Sequence, residues 1–198
     1  MYSSQISNAL KKDPYASKYF VGVFPSDALP KRIKYPSAVV ANTDPSDEKG
    51  EHWVCYFFDK NKNAEYFDSY GLPPIKHDLF NFLVEKGCIK NHGKKIKCNE
   101  VQLQAFNSDV CGQYCIAFIA RKARGESMDN IVKSYEGKKP GDADYKMAQI
   151  VNNKYNISVI PKQHGRGTND QCCCSMIHSK LNNNITHCSF QEKICSFL

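Results

Sequence analysis

Cys111 stands where a strand-like stretch gives way to an apolar helical one, within QAFNSDVCGQYCIAFIARKA over residues 104–123. Upstream, Val101, Leu103 and Ala105 alternate with Gln102, Gln104 and Phe106, the period of a half-buried strand. Asn107, Ser108 and Asp109 then supply turn and N-cap chemistry. Downstream, Ile116, Ile119, Ala120 and Ala123 share one helix face, and Gly125 sits where a C-terminal cap belongs. A thiol at such a junction meets unpaired backbone N–H groups and the positive end of the helix dipole, which favour thiolate over thiol. Taken alone, a cysteine in an apolar segment reads more readily as core, and Cys115, one turn on, is assigned that way. A nucleophilic thiol needs an imidazole to take its proton and a third group to hold the tautomer of that imidazole. His52 and Asp68 answer this description, and Gln104 is placed to aim an amide N–H at a developing oxyanion.

The elements that must position these residues are legible nearby. His52 opens HWVCYFFD, in which Trp53, Cys55 and Phe57 alternate with Val54, Tyr56 and Phe58; Asp68 ends a second run, AEYFDSYG. Lys60, Asn61, Lys62 and Asn63 join the two as a hairpin connection. Antiparallel pairing sets the start of the first strand beside the end of the second, and so brings His52 to Asp68.

The series GEHW, YFDSYG and QAFNSDVCG resembles the adenovirus-type, adenain-like cysteine proteases, which share a fold with the SUMO-deconjugating proteases. The order histidine, acidic residue, glutamine, cysteine is that of the family. LKKDPYASKYFVGVFPSD is similar to its opening helix and aromatic-glycine turn, and SAVVANT to the strand before the histidine. The resemblance covers about residues 3–157. It implies that His52 is the general base, Asp68 its orienting group, Cys111 the nucleophile and Gln104 an oxyanion donor beside the Cys111 backbone N–H. It also implies that Trp53 and Gly22 lie at the substrate, although core packing is the alternative for the aromatic turn around Gly22. Aspartate stands where many adenoviral members carry glutamate, and the family's activating-peptide cysteine has no clear counterpart in Cys88 or Cys98.

The chain has 198 residues, 41% hydrophobic and 24% charged, suiting one domain with an appendage. No run approaches the length of a membrane span, and MYSSQISNALKKDPY lacks the apolar core of a signal peptide, so neither spanning nor secretion is expected. Of ten cysteines, Cys55, Cys88, Cys98 and Cys115 read as reduced core residues. A helix is expected from about Ser4 to Lys12, capped by Ser3 or Ser4, with Ile6 and Leu10 inward. A strand is expected over Ser37–Asn42. Pro74 can open a helix with Leu79, Phe80, Leu83 and Val84 toward the core, and two further helices follow Gly125, the last with Tyr145, Met147, Ile150 and Val151 as its apolar residues.

The formal charge is +7, concentrated in Lys90, Lys94, Lys95 and Lys97 and in Arg121, Lys122 and Arg124. Such clusters neutralise phosphate without regard to sequence, so DNA is a candidate partner contacted by Lys94, Lys95, Lys97, Arg121, Lys122 and Arg124; a solvated basic face is the alternative. Beyond about residue 157 the pattern changes. Residues 158–198 form a tail with Cys172, Cys173, Cys174, Cys188 and Cys195, beside His178 and His187. Three adjacent cysteines do not match the ligand spacing of a zinc site, so a poorly ordered tail is favoured and no metal is assigned.

The expectation is therefore an α+β cysteine-protease fold over residues 1–157, a central mixed sheet packed against the helix that carries Cys111, with further helices around it. The resemblance implies a monomeric endopeptidase that cleaves capsid or core precursors after Gly-X-Gly-like sequences, in the virion and the host nucleus or cytoplasm. Its chemistry requires no cofactor, with DNA or a short viral peptide as candidate activators. A SUMO-type or ubiquitin-like deconjugating protease and a catalytically silent DNA-binding scaffold are the rival readings.

Overall fold

Alternating apolar residues build the centre of the molecule. The computed structural model describes residues 1–88 and 96–158, all within one compact unit over Met1–His164. Five strands, β1 (Phe20–Phe24), β2 (Ser37–Asn42), β3 (Trp53–Phe58), β4 (Ala64–Phe67) and β5 (Lys97–Cys98), form one sheet in chain order. The outer pairs, β1 with β2 and β4 with β5, are parallel, and the two inner pairings are antiparallel. The sheet is mixed, as expected.

The period of two sorts the strand residues between two cores. Ala38, Val40, Cys55 and Phe67 face a layer that includes α1 (Ser3–Lys12), α3 (Cys111–Lys122), α4 (Met128–Tyr135) and α5 (Asp144–Tyr155). Val39, Val54, Tyr56 and Tyr66 face the opposite way, onto α2 (His77–Glu85). Helix α3 is buried along Cys111–Ala120 without a break, so it is a central helix, and its first residue is held as firmly as its middle.

Several sequence expectations are corrected here. The aromatic segment around Gly22 is strand β1, paired with β2, rather than a turn. Val101–Phe106 joins no ladder, because the N–H groups of Leu103 and Gln104 both donate to the Ser69 carbonyl, at 2.9 and 3.0 Å, instead of to a neighbouring strand. Helix α1 is capped at Tyr2, where the Gln5 side chain folds back onto the backbone N–H at 2.9 Å, not at Ser3 or Ser4. Helix α2 starts at His77 rather than Pro74 and buries Phe82 with Leu79 and Leu83; Val84 is exposed. On α5 the buried apolar residues are Met147, Ala148 and Val151, while Tyr145 and Ile150 point to solvent. No helix among the described residues is long and apolar enough to cross a membrane.

Asp13 ties three helices together. Its buried carboxylate caps the turn after α1 through the N–H groups of Tyr15 and Ala16, accepts from Arg124 beyond α3 at 2.8 Å, and accepts from the Tyr155 hydroxyl of α5 at 2.7 Å. Burial works against its ionisation, but Arg124, Tyr155 and the two N–H groups outweigh it, and its pKa falls well below the usual carboxylate range. Asp13→Ala should therefore lower unfolding stability by about 3 kcal/mol, read as a lower urea midpoint at pH 7. With the folded pKa depressed, this contribution is present above about pH 4 and fades as pH falls toward the folded value. The mutant should consequently show a flatter acid limb than the wild type.

Candidate active site

The hairpin and the central helix converge on one point. His52 directly precedes β3, and its carbonyl accepts from the Thr43 N–H at 2.9 Å, which prolongs the β2–β3 pairing. Asp68 directly follows β4, and the register that sets Cys55 opposite Phe67 carries the two residues together. His52 Nε2 meets Asp68 Oδ1 at 2.7 Å, with both residues buried. A carboxylate at Nε2 fixes the proton there and leaves Nδ1 as the basic nitrogen. Nδ1 is buried without a nitrogen or oxygen partner, and the group besides Asp68 that acts on the ring is Cys111, through hydrogen bonding and, as thiolate, through its charge.

The electrostatics of the pair run in opposite directions. For His52 burial opposes protonation, but the charge and hydrogen bond of Asp68 and the adjacent Cys111 more than compensate, and the pKa rises well above the ordinary value. For Cys111 burial again opposes ionisation, yet His52, the Trp53 backbone N–H and the nearby chain N-terminus bring the pKa down. Both shifts favour a thiolate–imidazolium pair. Cys115 behaves otherwise: burial and its neighbour Cys55 push its pKa well up, as suits a core thiol. Cys55 and Cys98 form no disulfide, and Cys98, only partly buried, is pushed up to about 12 by burial and the nearby Glu100 and Asp68.

Helix α3 begins at Cys111 itself. Its N-cap is Val110, which offers no side-chain cap, so the expected capping by Asn107, Ser108 or Asp109 does not occur. The first helical bond runs from Tyr114 N–H to the Val110 carbonyl, so the N–H groups of Cys111, Gly112 and Gln113 have no acceptor within the helix. The fit around Gly112 is close: a Cβ there would lie 2.8 Å from the Met1 sulfur and 3.2 Å from Ile6, so these side chains would have to shift. Met1 is held in place by Trp53, whose indole N–H donates to the Met1 carbonyl at 3.1 Å. The N-terminal residue and Trp53 thus border Cys111, which is 7% exposed.

Gln104 is placed differently from expectation. It is fully enclosed, with Oε1 accepting from the Ser69 hydroxyl at 2.7 Å and Nε2 donating to the Tyr70 hydroxyl at 3.3 Å and to the Ser108 carbonyl. Both amide protons are therefore engaged, and the donors left for an oxyanion in this arrangement are backbone N–H groups at the start of α3. Gly22 lies on β1, separated from the strand of Trp53 by β2. The Phe24 ring occupies the space a Cβ would need, at 2.8 Å, which accounts for the glycine by packing.

Two contributors had no sequence signal. Asn99 clamps the backbone of Asp68, accepting from its N–H at 2.9 Å and donating to its carbonyl at 2.6 Å. Tyr70 donates its backbone N–H to Asp68 Oδ1 at 2.8 Å and stacks on the His52 ring. Asn99 reaches Asp68 only because β5 pairs with β4, and no local pattern announces a pairing two residues long.

Among the described residues of the expected basic surface, four have ion-pair partners. Lys97 pairs with Asp129 at 2.6 Å, Arg121 with Glu126 at 2.9 Å, Lys122 with Glu65 at 2.7 Å and Arg124 with Asp13 at 2.8 Å. Four of the six residues assigned to DNA thus have carboxylate partners close by, which sequence clustering did not reveal. Lys94, Lys95 and the Cys-rich tail with its zinc question lie outside the described residues. Among the described residues no group of three or more His, Cys, Asp or Glu is arranged to hold a metal ion.

A mixed sheet ending in a histidine–carboxylate pair, set against a buried helix that begins at cysteine, defines an α+β protein in which a thiol, an imidazole and a carboxylate lie together. The chain is similar to a mimivirus protein. A curated sequence named "Putative thiol protease R355", from Acanthamoeba polyphaga mimivirus, is 31% identical over 147 residues, spanning 61% of this chain. The chain spans 47% of that relative's length. Among solved structures it is similar to the ASFV pS273R protease, with a TM-score of 0.49 at 17% identity over 76% of this chain and 66% of that one. It is also similar to the central domain of the Lpg1148 protein of Legionella pneumophila, with a TM-score of 0.46 at 14% identity over 79% of this chain and 96% of that domain. No protein-family model matches the chain.

Proposed function

We propose that this protein is a viral cysteine endopeptidase of the adenain-like type that works through Cys111, His52 and Asp68. The observation that carries the reading is the His52 imidazole set between the Asp68 carboxylate and the Cys111 thiol at the first turn of a buried helix. The thiolate attacks a peptide carbonyl, and the helix-end N–H groups receive the negative charge that develops on its oxygen. The imidazolium then protonates the leaving amine, and water, deprotonated by the same ring, releases the acyl group. Similarity to the mimivirus thiol protease supports a viral setting.

The substrates are capsid or core precursors cleaved after Gly-X-Gly-like sequences, within the virion or the infected cell. The low exposure of Cys111, with Trp53 and Met1 beside it, supports a backbone with little side-chain bulk at the scissile bond. DNA or a viral peptide would act as an activator, not as part of the chemistry. The test is to incubate the full chain with peptides that vary around Gly-X-Gly and to map products by mass spectrometry. Cleavage after the second glycine is expected. Preferential cleavage of SUMO or ubiquitin-like fusions would overturn the substrate class.

A further inference from the structure

The His52 ring is hydrogen-bonded to Asp68 at one nitrogen and has the Cys111 thiol beside it. Nε2 meets Asp68, while Nδ1 has no nitrogen or oxygen partner. These contacts lie at the edge of the ring and leave its faces to packing. Tyr70 packs on a face: its ring stacks on the imidazole with centroids 4.6 Å apart and planes 24° apart. Tyr70 is itself stacked with Phe106, at 5.4 Å and 28°, so three rings lead from the buried imidazole to the 44% exposed Phe106.

We propose that Tyr70 is a positioning residue that holds the plane of His52 toward Cys111 and links that ring to the Gln104 amide; this rests on the peptidase reading above. Packing alone would be served by any apolar side chain. Tyr70 instead engages three site residues with three different groups: its ring on His52, its backbone N–H on Asp68 Oδ1 and its hydroxyl accepting from Gln104. The π face also favours the imidazolium over the neutral ring, the form that the thiolate pair requires.

The experiment compares wild type, Tyr70→Phe and Tyr70→Leu by the pH dependence of Cys111 alkylation with iodoacetamide, and by kcat and KM on a cleaved peptide. Tyr70→Leu should move the alkylation midpoint up by about half to one pH unit and lower kcat about tenfold or more, with KM within about twofold. Tyr70→Phe keeps the ring and should restore the wild-type midpoint, losing a few-fold in kcat through the freed Gln104 amide. A wild-type midpoint and kcat in Tyr70→Leu would overturn the proposal. If Tyr70→Leu does not fold, Phe106→Ala removes the outer ring of the same stack without emptying the core. It should shift the midpoint in the same direction, and no shift there would equally overturn the proposal. Failure of the peptidase reading looks different: the wild type itself would alkylate like an isolated thiol and cleave nothing.

Discussion

Cys111→Ala should reduce peptide cleavage to background, a loss on the order of 10⁴-fold or more, while leaving the fold intact. The side chain is small and sits at the first turn of α3, where the backbone is already held by its packing and the removed sulfur has no structural partner besides His52 and the Trp53 N–H. Labelling gives a second readout. With its pKa lowered by His52, the Cys111 thiolate persists below the ordinary thiol range, so iodoacetamide should label wild-type protein at near-neutral pH faster than any other thiol in the described core. The rate should fall as pH drops through that lowered pKa. At the other end, as pH rises through the raised His52 pKa, the imidazolium is lost and cleavage should decline although labelling continues. Labelling of Cys111 at the rate of a free thiol, or cleavage surviving Cys111→Ala, would remove the sulfur from the mechanism.

Asp68→Asn should cost about 10²- to 10⁴-fold in kcat and shift the acid limb of Cys111 labelling upward by about 1 to 3 pH units. The geometry makes this substitution informative. His52 Nε2 and the Tyr70 N–H both converge on Oδ1, so an amide oxygen can remain there and accept from both. Orientation is then preserved and the loss reads the missing charge. Asp68→Ala removes orientation as well and should be worse. Equal pH profiles for wild type and Asp68→Asn, measured on the same peptide, would show that the carboxylate charge does not support the imidazolium.

The parts of the site that the sequence announced are those whose causes are local. Strand β2 spans Ser37–Asn42 as expected from its short apolar run, and His52 and Asp68 lie just outside β3 and β4, because a short polar connection leaves a hairpin one simple register. The start of α3 at Cys111 was legible because the period changes there from two to 3.6. The alternation of Val101–Phe106 misled, since the backbone donors of that segment are taken by Ser69, a residue more than thirty positions away.

Sequence by itself determined that an apolar helix begins at a cysteine and that a hairpin brings a histidine to an aspartate, because strand pairing and helix periodicity are set by neighbours along the chain. Only the tertiary structure decided that Asn99 and Tyr70 secure that pair, that Gln104 spends its amide protons inside the protein, that Met1 borders the sulfur, and that Lys97, Arg121, Lys122 and Arg124 meet carboxylates. Each of those contacts joins segments that come together only when helices and sheet pack, and a charge or amide takes its role from whichever partner that packing delivers.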